Sequence, residues 1–187
     1  MNKPKYIVVH STDVSFTKNG NQFNAVNNYH QSQDFPLSRL GYYVGYHRLI
    51  TGGTNYHCKH DTEIGAHTNQ LENGISINKQ SLGVCVGFDG DVEYPRIEDY
   101  NLLQKQIWSW QDLYAISNQD VKFHRDFNTS KTCPGSLLGN EWLTNLLRRT
   151  PYSKPDDQEE KQKEILMQKI SILQKIINLW LQIKPFK

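Results

Sequence analysis

Cysteine is scarce in this chain of 187 residues, with three in all: Cys58, Cys85 and Cys133. An odd count without regular spacing argues against a disulfide framework and fits a protein made in a reducing compartment. Charge of one sign is lacking too. A formal net charge of +2 is too small to mark a nucleic-acid-binding protein, so no nucleic acid partner is expected. It leaves binding to an anionic polymer unhindered. No uninterrupted apolar run is long enough to span a bilayer. The first residues, Met-Asn-Lys-Pro-Lys, hold no apolar leader, so no signal peptide is expected. Internal repeats are also missing. The apolar share of 37% still suffices for a core, and the length suits one domain with a tail better than two full domains.

What is there begins with Tyr6–Val9, a short aromatic and β-branched run that reads as a buried strand. His10, Ser11 and Thr12 follow at its C-terminal end, where sites commonly sit in α/β folds. Phe23 to Phe35 is predicted to be helical, with a partial apolar stripe through Val26, Tyr29 and His30 and a stop at Pro36. Tyr42 to Ile50 is predicted as the next strand. Gly52-Gly53 turns the chain and Asn55 to Lys59 returns antiparallel. Ser81 to Gly87 is a third apolar strand. Ile97 to Ile116 has helical spacing through Leu102, Leu103, Ile107, Trp110, Leu113 and Tyr114. Val121 to His124 is a short strand that delivers His124 to a loop, and Leu137 to Leu147 reads as a last helix. The order β-α-β-β-β-α-β-α predicts an α/β fold with a mixed central β-sheet flanked by helices.

Beyond this domain, residues 151–160 read as a linker and an acidic helix start. From Lys161 to Lys187 there are six lysines against one glutamate. Leu166, Ile170, Leu173, Ile177 and Trp180 recur at heptad spacing. This predicts a basic amphipathic C-terminal helix over 161–187. Three destinations are open to it: its own domain, another copy of the chain, or an anionic membrane.

The chemistry concentrates in His124-Arg-Asp-Phe-Asn-Thr-Ser-Lys131-Thr-Cys133-Pro-Gly, where an imidazole, an ammonium and a thiolate share one loop. With His10 as a third ligand, two imidazoles and a thiolate make a zinc set with one position left for water, the catalytic pattern. The thiolate favours zinc over magnesium or calcium. Spacing alone also allows three unrelated residues: a strand-end histidine, a loop histidine and a small buried hydrophobe. Asp13, Asp89, Asp91 and Glu93 offer a muramidase built on paired carboxylates, although nothing in the sequence sets two of them at a defined separation. Cys85, inside Val84-Cys85-Val86, reads as core. On a strand, His47 would point away from Tyr46.

Four stretches in order resemble the zinc amidases of the amidase-2, or peptidoglycan-recognition-protein, family, in particular its phage T7 lysozyme type. They are Val8-Val9-His10-Ser11-Thr12, Gly45-Tyr46-His47, Ser81-Leu82-Gly83-Val84-Cys85, and His124 with Lys131-Thr132-Cys133-Pro134-Gly135. Ile64-Gly65-Ala66-His67-Thr68 is a weaker fifth. The likeness covers roughly residues 3–149. It implies cleavage of the amide between N-acetylmuramic acid and L-alanine in peptidoglycan, by a catalytic domain over 1–150. It implies one Zn²⁺ held by His10, His124 and Cys133, with Tyr46 and Lys131 assisting the reaction and His67 along the substrate groove. A phage endolysin, held in the host cytoplasm until lysis, is the expected setting, with a bacterial autolysin beside it. The alternatives are a non-catalytic peptidoglycan-binding module and a cytosolic amidase that recycles anhydro-muropeptides. Removing residues 156–187 is expected to leave cleavage of small soluble wall fragments nearly intact and to weaken action on whole walls. Equal loss on both substrates, assayed side by side, would instead make the helix part of the fold.

Overall fold

Strand β1 (Tyr6–Ser11) is buried along its whole length, and so is β6 (Ser81–Val86). Near-continuous apolar runs of this kind belong to strands covered on both faces, as in parallel sheets. The computed structural model describes residues 4–16, 20–149 and six helical positions between 166 and 173. Its main sheet has five strands in the order β3-β2-β6-β1-β7. β2 (Arg48–Thr51) and β3 (Thr54–His57) form the antiparallel hairpin expected at Gly52-Gly53. β2 lies parallel to β6, and β1 runs parallel to both β6 and β7 (Val121–Phe123). The sheet is therefore mixed. β4 (Leu71–Glu72) and β5 (Ile75–Ser76) make a separate small hairpin. It turns at Asn73-Gly74, a dipeptide suited to tight hairpins.

Helix α1 (Phe23–Ser32) lies on one side of the sheet. There Val44, Leu49, Cys58 and Cys85 form a buried cluster with Phe23, Val26 and Tyr46 packed against it. Helix α2 (Ile97–Tyr114) packs against β2, β3 and β6. Its buried residues Tyr100, Leu103, Ile107 and Trp110 follow a 3-4-3 spacing that lays one stripe on the sheet. Leu103 and Ile107 each contribute roughly 1.5–3 kcal/mol by leaving water. A short helix α3 (His124–Phe127) and α4 (Asn140–Leu147) complete the domain. Gln104 ties α2 to the end of α4 by donating to the Leu146 carbonyl at 3.0 Å.

Several boundaries differ from the sequence expectations. α1 ends at Ser32, and Tyr29, expected on its apolar stripe, is 62% exposed. The predicted strand from Tyr42 starts only at Arg48. The backbone before it is satisfied elsewhere. Tyr43 N–H donates to Asn27 Oδ1 at 2.8 Å, Gly45 N–H to His30 Nδ1 at 3.1 Å, and Ala66 N–H to the Gly45 carbonyl at 2.8 Å. Those side-chain and loop partners replace a ladder. The chain divides into two compact units, Met1–Thr150 and Pro151–Lys187. In the second unit Leu166, Met167, Lys169, Ile170, Ile172 and Leu173 are helical. The predicted linker over 151–160 and the rest of the predicted C-terminal helix lie outside the described residues. No helix among the described residues is long and apolar enough to cross a membrane.

Two buried histidines brace the domain in their neutral form. His47 Nδ1 accepts Gly83 N–H at 3.0 Å, and its Nε2 lies 3.1 Å from the Glu63 carbonyl. His30 stacks on Phe35 with ring centroids 4.3 Å apart. Burial lowers both pKa values to about 4, with Lys59 also pressing on His30. The unfolded chain therefore binds protons between about pH 6.5 and 4 that the fold refuses. Stability is full above about 6.5 and falls as pH drops toward 4. Urea unfolding of metal-free protein is expected to show that loss. A flat profile over this range would mean that these rings are charged in the folded state.

Candidate metal centre

The parallel pairing of β1 and β7 brings their carboxyl ends together. His10 sits near the end of β1, and His124 follows the last residue of β7. With Val9 paired to Phe123, the two imidazoles lie side by side, ring centroids 4.6 Å apart. The α3 turn that carries His124 is capped by Asp126, whose carboxylate accepts Phe123 N–H at 2.8 Å.

Cys133 arrives on the loop after α3. Arg125 holds that loop: its N–H donates to the Cys133 carbonyl at 3.0 Å, and its guanidinium reaches the carbonyls of Thr132, Gly135 and Leu138. From the other side Asp91 accepts Thr132 Oγ1 at 2.8 Å and Ser136 N–H at 2.7 Å. The Cys133–Pro134 peptide bond is cis. The result places Cys133 Sγ 3.8 Å from His10 Nδ1. One ligand atom from each of His10, His124 and Cys133 lies within 4.8 Å of the others.

This donor set fits zinc. Tetrahedral bonds of about 2.3 Å to sulfur and 2.0–2.1 Å to nitrogen put the two ligand atoms about 3.6 Å apart, close to the separation seen. Both imidazoles are held in the neutral form that coordinates. His10 is 1% exposed, and burial lowers its pKa well below the ordinary value, with His67, His124 and His30 adding to the effect. His124 is lowered by partial burial first and by the Lys131 ammonium second. Burial pushes the Cys133 thiol up to about 11, while a backbone hydrogen bond from Ser11 acts in the opposite direction. That backbone donor suits a thiolate, the form in which cysteine binds metal.

Tyr46 stands beside this group, its ring centroid 5.0 Å from that of His10. Burial raises its pKa well above the ordinary value, with Cys85 and Cys133 contributing, so its hydroxyl stays protonated at neutral pH. Lys131 is exposed, on the same loop as Cys133. Tyr46 also borders a cleft of ≈ 470 Å³, with Ser11, Asp13, Tyr29 and His30 around it; none of His10, His124 and Cys133 lines it. His67 is the residue expected along a substrate groove. It is 7% exposed, and its two ring nitrogens face His10 Nε2 at 3.0 Å and Ser81 Oγ at 3.2 Å.

The four carboxylates weighed for a muramidase serve the loops instead. Asp13 accepts the Ser11 hydroxyl, Glu93 accepts Phe16 N–H, Asp89 accepts Asp91 N–H, and Asp91 braces the cysteine loop. Cys85 is fully buried and pairs in register with His10, and Cys58 is likewise fully buried. Sequence reasoning missed Arg125, whose only signal was its place in His124-Arg-Asp, and singled out Asp91 only as a carboxylate of the muramidase alternative, not as a brace of the cysteine loop.

Solved structures of similar fold include the N-acetylmuramoyl-L-alanine amidase LysC from Clostridium intestinale URNW. It has a TM-score of 0.60 and 23% identity over 76% of this chain and 84% of that one. The Ph2119 endolysin from the Thermus scotoductus MAT2119 bacteriophage Ph2119 gives 0.59 and 18% over 78% and 86%. Wild-type Drosophila PGRP-LB gives 0.59 and 20% over 82% and 87%. At these identities the likeness concerns the fold. No curated protein sequence matches the chain significantly. The model of the family Amidase_2, described as N-acetylmuramoyl-L-alanine amidase, matches residues 1–136.

Proposed function

The chain belongs to the Amidase_2 family, and on that premise we propose that it is a zinc-dependent N-acetylmuramoyl-L-alanine amidase acting on bacterial peptidoglycan. The observation that carries this reading is the convergence of His10, His124 and Cys133 within 4.8 Å of one another, next to Tyr46, which also borders a cleft. Zinc, when bound there, supplies a Lewis acid and lowers the pKa of water to near neutrality.

The chain's own residues supply the rest. The bond broken joins the lactyl carbonyl carbon of N-acetylmuramic acid to the nitrogen of L-alanine. Water adds to that carbon, and negative charge gathers on the carbonyl oxygen. The Lys131 ammonium offsets that charge, as fixed donors do in hydrolases. Tyr46, kept protonated by its surroundings, donates a hydrogen bond to the same oxygen or passes on the proton of the attacking water. The departing alanine nitrogen takes up a proton and leaves as a free amine. The adjoining cleft falls within the roughly 300–1,000 Å³ of small-ligand sites and suits the stem peptide.

The full donor set, with Tyr46 and Lys131 beside it, favours an enzyme over a wall-binding module. We read the setting as a phage endolysin that waits in the host cytoplasm and then acts on the cell wall. The lysine-rich C-terminal segment supports that reading, because self-association or attraction to an anionic membrane would serve an enzyme of intact walls more than one of soluble fragments.

Zinc-loaded protein incubated with purified peptidoglycan is expected to release stem peptides with a free L-alanine amine, detected by mass spectrometry. Cys133→Ala should abolish release. Lys131→Ala should lower the rate about 10²–10³-fold, and Tyr46→Phe about 10²-fold or more. New reducing sugar ends would mean a different bond is cut. Tight wall binding without products would favour the binding module.

A further inference from the structure

His67 is absorbed by neither the donor set nor the cleft, yet the fold holds it with unusual care. Its backbone N–H and that of Thr68 both donate to Asn78 Oδ1, at 3.1 and 3.0 Å, and Asn78 Nδ2 donates to the Thr68 carbonyl. Two glycines press on the ring. A Cβ on Gly65 would stand 2.5 Å from His67 Cδ2, and one on Gly83 would stand 2.7 Å from Cδ2 and Cγ. Any side chain at either position would drive the imidazole out of place.

The shortest contact around the ring sets the direction of its hydrogen bonds. The Ile77 carbonyl can only accept. Ser81 Oγ lies 2.7 Å from it, so the serine proton points there. The same Oγ, 3.2 Å from His67 Nε2, then accepts, and His67 Nε2 carries a proton. A neutral imidazole has one donor and one acceptor, so His67 Nδ1 is bare. His10 Nε2, 3.0 Å away, must then donate to it. That leaves His10 Nδ1 without a proton, and Nδ1 is the atom that faces Cys133 Sγ.

We propose that His67 is a positioning residue: with Ser81 and the Ile77 carbonyl it locks His10 as the Nε2–H tautomer and aims His10 Nδ1 at the metal position. This inference rests on the zinc amidase reading. The second ring nitrogen of a metal-binding histidine commonly donates to a carboxylate, carbonyl or water, and losing that partner weakens metal binding about 10–100-fold. Here a second imidazole plays the part, and its own orientation traces back to a backbone carbonyl.

The test has two parts. In metal-free wild-type protein, two-bond ¹H–¹⁵N spectra of the histidine rings are expected to show His10 protonated at Nε2 and bare at Nδ1, and His67 in the same tautomer. A proton on His10 Nδ1 would overturn the proposal. Zinc affinity is then compared across wild type, His67→Asn and His67→Leu, with thermal unfolding monitored for each. Asparagine sets its Oδ1 where Nδ1 stood and keeps an acceptor for His10, whereas leucine fills similar space without one. Leucine is expected to weaken zinc about 10–100-fold, with asparagine recovering most of the loss. Equal affinity for wild type and His67→Leu, or equal loss in both variants, would overturn the role. Failure of the underlying reading looks different: wild-type protein then takes up no zinc, and the metal-positioning role falls with it.

Discussion

The parallel pairing of β1 with β7 is the constraint on which the site depends. Parallel neighbours end on the same side of a sheet, so residues far apart in sequence meet there without a long loop to place them. His10 and His124 are brought together in this way, and the register Val9 to Phe123 sets their spacing. A one-residue slip would turn His10 to the other face. Burial of both faces of β1 and β6 makes such a slip costly, because each apolar side chain in the ladder would lose its place in one of the two packed layers. The core thus fixes the geometry on which the chemistry relies.

The third donor is placed by different means. Cys133 belongs to no strand, and its loop is held by polar contacts: the Arg125 guanidinium from one side and the Asp91 carboxylate from the other. Charged groups bonded to backbone carbonyls and amides are among the stronger hydrogen bonds of a fold. The loop is also left solvent-facing enough to expose Lys131. Burial does separate work on the ligands. It keeps His10 neutral and ready to coordinate, and it raises the Cys133 thiol, so cysteine enters the thiolate form only when a cation offsets the cost of burying its charge. Such a centre favours occupation by a metal over a free, reactive cysteine.

The mixed sheet was legible in sequence because its central strands are uniformly apolar and its long helix has a regular stripe. That His10, His124 and Cys133 would meet was legible only through the resemblance of the flanking motifs, since spacing alone also allowed three unrelated residues. Tyr42 to His47 was misread as a strand because residue type shows β-propensity but not that Asn27 and His30 would supply the hydrogen bonds of a ladder. The β4–β5 hairpin carried a signal in Asn73-Gly74, but two-residue strands leave no alternation to read. The place of His67 was out of reach for a similar reason. Its role is set by which nitrogen faces which partner, and its partners His10, Ser81 and Asn78 come from separate segments that only the fold assembles.

The central claim is that His10, His124 and Cys133 together hold one zinc ion, and the most direct test is X-ray absorption at the zinc edge on the loaded protein. The expected shell has two imidazole nitrogens at about 2.0–2.1 Å, a single sulfur at about 2.3 Å and one further light atom, with the sulfur lost in Cys133→Ala. A shell with no sulfur, or with a sulfur that survives that substitution, would contradict the account.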